Sequence, residues 1–379
     1  MKSPICALLG IDFPLVAFSH CRDVVAEVSR AGGMGVFGAG QLTPARLEED
    51  LAWIDTQVEG RPYGVDLLIP EKMEGKHQDS GAAQALAALP ETHKAFADAV
   101  LARHGIDCLA RDESRARLLQ LGRNLRVSDA TDLLEVAFRH PIKLIANALG
   151  VPPAIMLELG KRHGVPVAAL VGAREHAVKQ VEAGVDILVV AGGEADGHCG
   201  EVSTLVLVPE VVEAIRDLRE VPVLAAGGIV TGRQMAACMA MGAAGAWTAS
   251  VWLTTAEAET IPTVKKKMLA ATSRDTVRSR SRTGKPTRQL KSAWTNAWYV
   301  DGAPDPLPMP LQGLISRPAM VRIDKLAESG HAGAKELATY YVGQAVGLMG
   351  HDTSCREVVY EFKRDFAEAV ERLSGTMGS

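Results

Sequence analysis

Between residues 189 and 200 the chain reads VVAGGEADGHCG, and Glu194, Asp196 and His198, side chains that can move protons or hold a cation, stand there at alternate positions. An imidazole titrates near neutrality, so His198 suits either a general base toward a carbon acid or a cationic partner for an anion. Glycine-rich loops that leave an apolar strand are where α/β folds place reacting groups. In extended backbone the three residues would share a face, as metal ligands do. A second histidine nearby, which a common iron site needs, is absent, so we expect no metal and expect Glu194 to anchor the loop by accepting backbone hydrogen bonds. Cys199 next to His198, and Cys21 next to His20, point to opposite sides of an extended chain, which argues against a Cys–His nucleophile pair. Either thiol reads as a small buried hydrophobe. His20 follows the first apolar run and is expected on the pocket wall, with Asp196 and Ser203.

Eight short apolar runs position these residues: FPLVAF from Phe13, MGVFG from Met34, YGVDLLI from Tyr63, IKLIANA from Ile142, PVAALV from Pro166, DILVVA from Asp186, PVLAAGG from Pro222 and GAWTAS from Gly245. Amphipathic segments of helix length separate them, and strands apolar on both faces belong in a parallel sheet covered by helices. The alternation predicts a (β/α)8 TIM barrel over 1–255, with a doubly wound open sheet as the competing topology. About 70 residues lie between the third and fourth runs, which we read as a helical insertion at about 71–130, containing GAAQALAALP and RDESRARLLQLGRNLR. Residues 256–379 are too many for a ninth unit and are expected to form a C-terminal lobe and terminal helices, part of it returning to the site.

The 379 residues carry a net charge of −4 and 47% hydrophobic content, enough for a large core and without a general attraction to nucleic acid or anionic membrane. The cysteines show no CxxC spacing, which speaks against a zinc ribbon or disulfide framework and for a reducing, cytoplasmic setting. Pro4, Asp12 and Pro14 interrupt the early apolar run, so no signal peptide is read. Met235 to Leu253 is uncharged and long enough to test as a membrane span, but Gly242 and Gly245 divide it into a helix end and a short strand. The basic stretch RDTVRSRSRTGKPTRQL (274–290) has no interleaved aromatic residue and reads as solvated surface, or as a clamp for an anionic substrate or nicotinamide phosphate. The expected partners are therefore a small molecule, with no nucleic acid and no membrane, and a homo-oligomer stays open.

In barrels, the loops after the seventh and eighth strands hold phosphate where glycine lets an anion approach backbone N–H groups at a helix start. Here Ala226-Gly227-Gly228 precedes a helix starting near Thr231, a suitable N-cap, and Thr248-Ala249-Ser250 adds hydroxyl donors.

The segment GGEADGHCG resembles the E-A-G-G-H signature of the nitronate monooxygenase (2-nitropropane dioxygenase) family, and PVLAAGGIVTGRQMAACMAMGA is similar to its P-V-x-A-A-G-G-I-x-x-G-R segment. AGGMGVFGAGQLTP resembles the family's opening, and the likeness runs over most of the chain. It implies FMN, with phosphate at Gly227, Gly228, Ala249 and Ser250, bordered by Ala226 and Thr248. The flavin ring would then lie near Ala17, Phe18, Asp66, Ala191, Gly192 and Gly193, with His198 facing it. YYVGQAVGLM resembles a stretch that returns to the flavin, which nominates Gln344. Asp66 stands where many members have asparagine, Ala191 where many have glutamine, and Asp196 and Ala249 where glycine is usual.

The implied reaction is oxidation of alkyl nitronates with dioxygen to a carbonyl compound and nitrite, His198 serving as base or anion partner and the flavin carrying the redox chemistry. The same framework also resembles NAD(P)H-dependent flavin reductases of quinones or enoyl thioesters. A reading of another class is a flavin-free barrel, either a metal-dependent lyase or a sugar-phosphate binder.

Overall fold

The computed structural model of the chain describes residues 1–40, 42–69, 89–107 and 127–376. Eight parallel strands, β1 (Leu15–Ser19), β2 (Met34–Gly38), β3 (Tyr63–Leu67), β4 (Leu144–Asn147), β5 (Val167–Val171), β6 (Ile187–Ala191), β8 (Val223–Ala226) and β9 (Gly245–Thr248), close into a barrel. Closure is made by β9 pairing back on β1, Trp247 opposite Val16. The intervening β7 (Gly197–His198) lies outside the barrel, in a small antiparallel sheet with β10 (Thr276–Ser279) and β11 (Thr287–Leu290). Each of the eight apolar runs became a barrel strand, with ends trimmed where proline or a helix cap takes over.

The period of two along each strand sorts the core. Val16, Met34, Val36, Leu144, Ala168, Ile187, Val189, Leu224 and Trp247 point inward as one cluster, and Ile5 and Leu9 of the helix Pro4–Leu9 join it, so the early apolar run packs against the barrel interior. The alternate set, including Leu15, Ala17, Leu188 and Ala225, faces the surrounding helices. Met235–Leu253 is split as its glycines suggest: its first part ends the helix Gly232–Ala240 and its second is β9. No described helix is long and apolar enough to cross a membrane.

Most of the expected insertion, and Cys108, fall outside the described residues; its described part includes the helix Glu91–Arg103, which packs on the helix Leu311–Glu328. After residue 255 the chain does not build a separate core, because one apolar cluster runs from Leu15 to Met320 and Phe362. The final helix, Cys355–Thr376, packs against Gly232–Ala240 and Arg22–Arg30, filling the place of the barrel's eighth helix. A Cβ at Gly232 would lie 2.0 Å from the Phe362 carbonyl oxygen, so only glycine permits this approach. The Asp365 carboxylate accepts from the Arg233 backbone N–H and from its Nε, both at 2.7 Å, and ties the two helices together.

Candidate active site

The loop after β6 is held at both ends. Gly193 donates to the Val202 carbonyl at 2.7 Å, and its own carbonyl accepts two hydrogen bonds from Arg288 of β11. The Glu194 carboxylate accepts from the backbone N–H and the hydroxyl of Thr204, both at 2.9 Å, which is the anchoring role expected of it. The three alternate residues therefore diverge. Glu194 turns to Thr204, Asp196 to the Ser250 hydroxyl at 2.9 Å, and His198 to the Thr283 hydroxyl, its Nε2 lying 3.0 Å from Oγ1. Pairing of β7 with β11, His198 opposite Thr287, fixes the imidazole at the edge of the barrel opening.

A cavity of about 540 Å³ occupies that opening. Phe18, Leu170, Val189 and Trp247 project into it from the inward positions of their strands, with the rings of Phe18 and Trp247 stacked 6.2 Å apart. Asp66 comes from the same inward register of β3. It is 5% exposed, and its Oδ1 has no hydrogen-bond partner. Burial alone pushes its carboxyl well above the usual range, which favours the protonated form.

Beside this apolar mouth lie the two turns that the sequence nominates for phosphate. Gly227 and Gly228 have φ of 97° and 69°, a left-handed pair that side chains resist. They lead into the Thr231 N-cap, whose hydroxyl accepts from Gln234 N–H while the Gln234 carboxamide oxygen accepts from Thr231 N–H. The N–H groups of Gly227, Gly228 and Ala249 have no acceptor among the described residues, and all three residues line the cavity. The expected hydroxyl donors are engaged elsewhere. Thr248 donates to the Val16 carbonyl and accepts from the Trp252 indole, whereas Ser250 donates to Asp196 and accepts from Gly343 N–H. Backbone amides are thus the free donors of these two turns, because both hydroxyls satisfy buried partners first.

Two titrations shape the site. Burial, with help from the nearby Lys285 cation, lowers the His198 pKa below 6.5, leaving a neutral imidazole at neutral pH. The one proton of the Thr283 hydroxyl points to the Lys285 carbonyl, whose oxygen lies 3.0 Å from Oγ1. With the proton placed there, His198 Nε2 is the donor and Nδ1 carries the lone pair. Burial raises the Asp196 pKa against the lowering effect of the Ser250 hydrogen bond.

Of the residues nominated from sequence, Phe18, His20, Asp66, Ala191, Asp196, His198, Ala226, Gly227, Gly228, Thr248, Ala249 and Ser250 line the cavity. Five do not. Ala17 faces the outer helices, Gly192 and Gly193 lie behind the loop, and Ser203 is the N-cap of the helix Thr204–Ile215. Gln344 is exposed, and only its backbone N–H acts, donating to the Glu194 carbonyl at 2.8 Å. The same YYVGQ stretch contributes Tyr340 and Tyr341 instead, and Asp324 joins them from the helix Leu311–Glu328. The adjacent tyrosines were a signal for the first two. Asp324 had none, because a lone acid on a long amphipathic helix looks solvated.

The sequence model of the nitronate monooxygenase family matches residues 2–365. The chain belongs to that family. It is 50% identical over 376 residues to a Mycobacterium tuberculosis protein named "Putative monooxygenase Rv1533", covering 99% of each chain. It is 36% identical over 306 residues to a 5-hydroxy-7a-methyl-1-oxo-octahydro-1H-indene-4-carboxyl-CoA dehydrogenase of Rhodococcus jostii, covering 80% of this chain and 69% of the relative. Among solved structures, nitroalkane oxidase from Streptomyces ansochromogenes shares the fold, with a TM-score of 0.78, 23% identity and coverage of 97% and 99%. As a member of the nitronate monooxygenase family the protein is an oxidoreductase, and the wall that departs most from the nominated residues is the one supplied after residue 255.

Proposed function

We propose that the protein oxidises alkyl nitronates with dioxygen to a carbonyl compound and nitrite, using FMN in the cavity described above. The observation that carries this reading is the meeting, in one cavity, of two turns with unpaired backbone N–H groups, an apolar mouth with one buried, partnerless carboxyl oxygen, and an imidazole of lowered pKa at its rim. The residues present fit the cofactor. Gly227, Gly228 and Ala249 would hold the phosphate through backbone N–H groups, Phe18 and Trp247 would border the ring, and Asp66 would donate to one of its acceptor atoms. FMN would supply the passage of electrons from the nitronate toward dioxygen. His198 takes the α-proton of a neutral nitroalkane at Nδ1 and, once protonated, stands as a cation beside the nitronate anion. Thr283 holds the ring by its other nitrogen, and Arg288 holds the loop that carries it.

A second reading has the dehydrogenase relative behind it. It makes the protein a flavin enzyme exchanging electrons with a reduced nicotinamide or a thioester substrate. An absorption spectrum followed by anaerobic mixing separates the two. Flavin bleached by a nitronate but not by NADH or NADPH supports the oxidase reading, and rapid bleaching by a nicotinamide refutes it. Colourless protein that does not take up FMN refutes both.

A further inference from the structure

The cavity has one polar wall that the proposed chemistry leaves unused. Asp324 lines it, its Oδ1 is buried without a partner, and neither carboxylate oxygen receives a hydrogen bond from the described residues. Burial pushes its pKa up to about 6, against the pull of the Arg282 guanidinium. Tyr340 lines the same wall, and its hydroxyl has no partner among the described residues either. Burial raises the phenol's pKa, which keeps its proton in place. Arg282 backs both, its guanidinium 5.7 Å from the Tyr340 ring centroid and 4.3 Å from that of Tyr341, with no carboxylate within ion-pair distance among the described residues.

A carboxylate buried without a donor loses stability that a ligand in the cavity restores by donating to it. A carboxylate accepts and a phenol donates, and an alcohol does both through one oxygen. We propose that Asp324 and Tyr340 form a specificity subsite for a hydroxyl group carried by the substrate, so that hydroxyl-bearing nitro compounds are preferred over plain alkyl ones. The identity of the reacting group rests on the nitronate reading. The subsite rests on the wall alone.

Two ligands of matched length test it: 3-nitro-1-propanol, and 1-nitrobutane, in which a methyl replaces the hydroxyl. With the protein as purified, kcat/KM for the two nitronates is expected to favour the hydroxylated one tenfold or more, chiefly through KM. Asp324→Leu brings the ratio to about one, and Tyr340→Phe lowers it several-fold. Should Asp324→Leu fail to fold, the isosteric Asp324→Asn, which loses the charge, lowers the ratio at least threefold. Binding of the two neutral nitro compounds, read by quenching of Trp247 and Trp252, gives the same order without turnover. Equal binding of the pair, or an order unchanged in the Asp324 variants, overturns the subsite. Preferential binding with no turnover of either nitronate keeps the subsite and overturns the nitronate reading.

Discussion

Replacing Asp66 by asparagine should stabilise the flavin-free protein, and by an amount that grows with pH. The carboxyl sits inside the barrel with one oxygen unpaired, and burial holds its pKa well above the usual range. In the unfolded chain the same group ionises near pH ~3.9. Between those two values the native state carries one proton that the unfolded state has lost. The stability slope with pH is proportional to the protons bound by the unfolded state minus those bound by the native state, so for this group it is negative. Below the unfolded value the group contributes no slope. Each pH unit above it costs about 1.4 kcal/mol until the native pKa is reached, beyond which the loss is constant. Asparagine keeps the shape and has no such proton. Denaturant unfolding of both proteins at pH 5, 6 and 7 isolates the effect, because all other titrations cancel in the difference. The Asp66→Asn protein should gain on the parent by about 1.4 kcal/mol per unit while the window lasts. A difference that stays flat from pH 5 to 7 would mean that Asp66 ionises freely, and the view of it as a hydrogen-bond donor to the flavin would fall with it.

Three further outcomes follow from the same geometry. Gly228→Ala forces a side chain into a left-handed turn, with its Cβ 3.0 Å from that of Glu194, at a cost of about 1–2 kcal/mol. Retention of FMN should drop by about tenfold, measured by fluorescence titration of the apoprotein, and unaltered affinity would remove this turn from the phosphate site. His198→Asn should lower kcat/KM for neutral nitroalkanes by roughly 10²–10⁴ while affecting preformed nitronates much less. Because burial depresses the imidazole pKa, the acid limb of the parent's profile with neutral nitroalkanes should lie below pH 6.5, and a limb above it contradicts a desolvated base. Ser250→Ala should cost stability, since the hydroxyl donates to Asp196 and accepts from Gly343, yet leave the phosphate its backbone donors. A loss of FMN affinity greater than the loss of global stability would instead make that hydroxyl a phosphate ligand.

What the sequence revealed and what it hid divide along a physical line. Strand positions were legible because a barrel strand is buried on both faces and reads as an unbroken apolar run, which the fold then sorts by parity. Val16 and Phe18 face in while Leu15 and Ala17 face out, and the pattern repeats with Ile187, Val189 and Ala191 against Leu188 and Val190. The glycine pair at 227–228 was legible because left-handed backbone limits the choice of residue. Parity also shows why Ala17 does not line the cavity: it stands one residue out of register with Phe18. The small sheet was hidden, because β7 has only two residues and its partner strand lies far along the chain in a stretch rich in arginine, where charge suggests solvent. Those arginines serve the loop instead. Arg288 spends its guanidinium on the Gly193 carbonyl, and Arg282 lies over two tyrosines. The partners of the hydroxyls were hidden for a related reason. Thr248 and Ser250 have the right groups in the right turn, but a hydroxyl turns to whichever buried partner is nearest, and only packing reveals that Val16, Trp252 and Asp196 are there first. Residues whose backbone conformation restricts identity can therefore be placed from sequence, whereas residues whose role depends on a competitor for their proton require the fold.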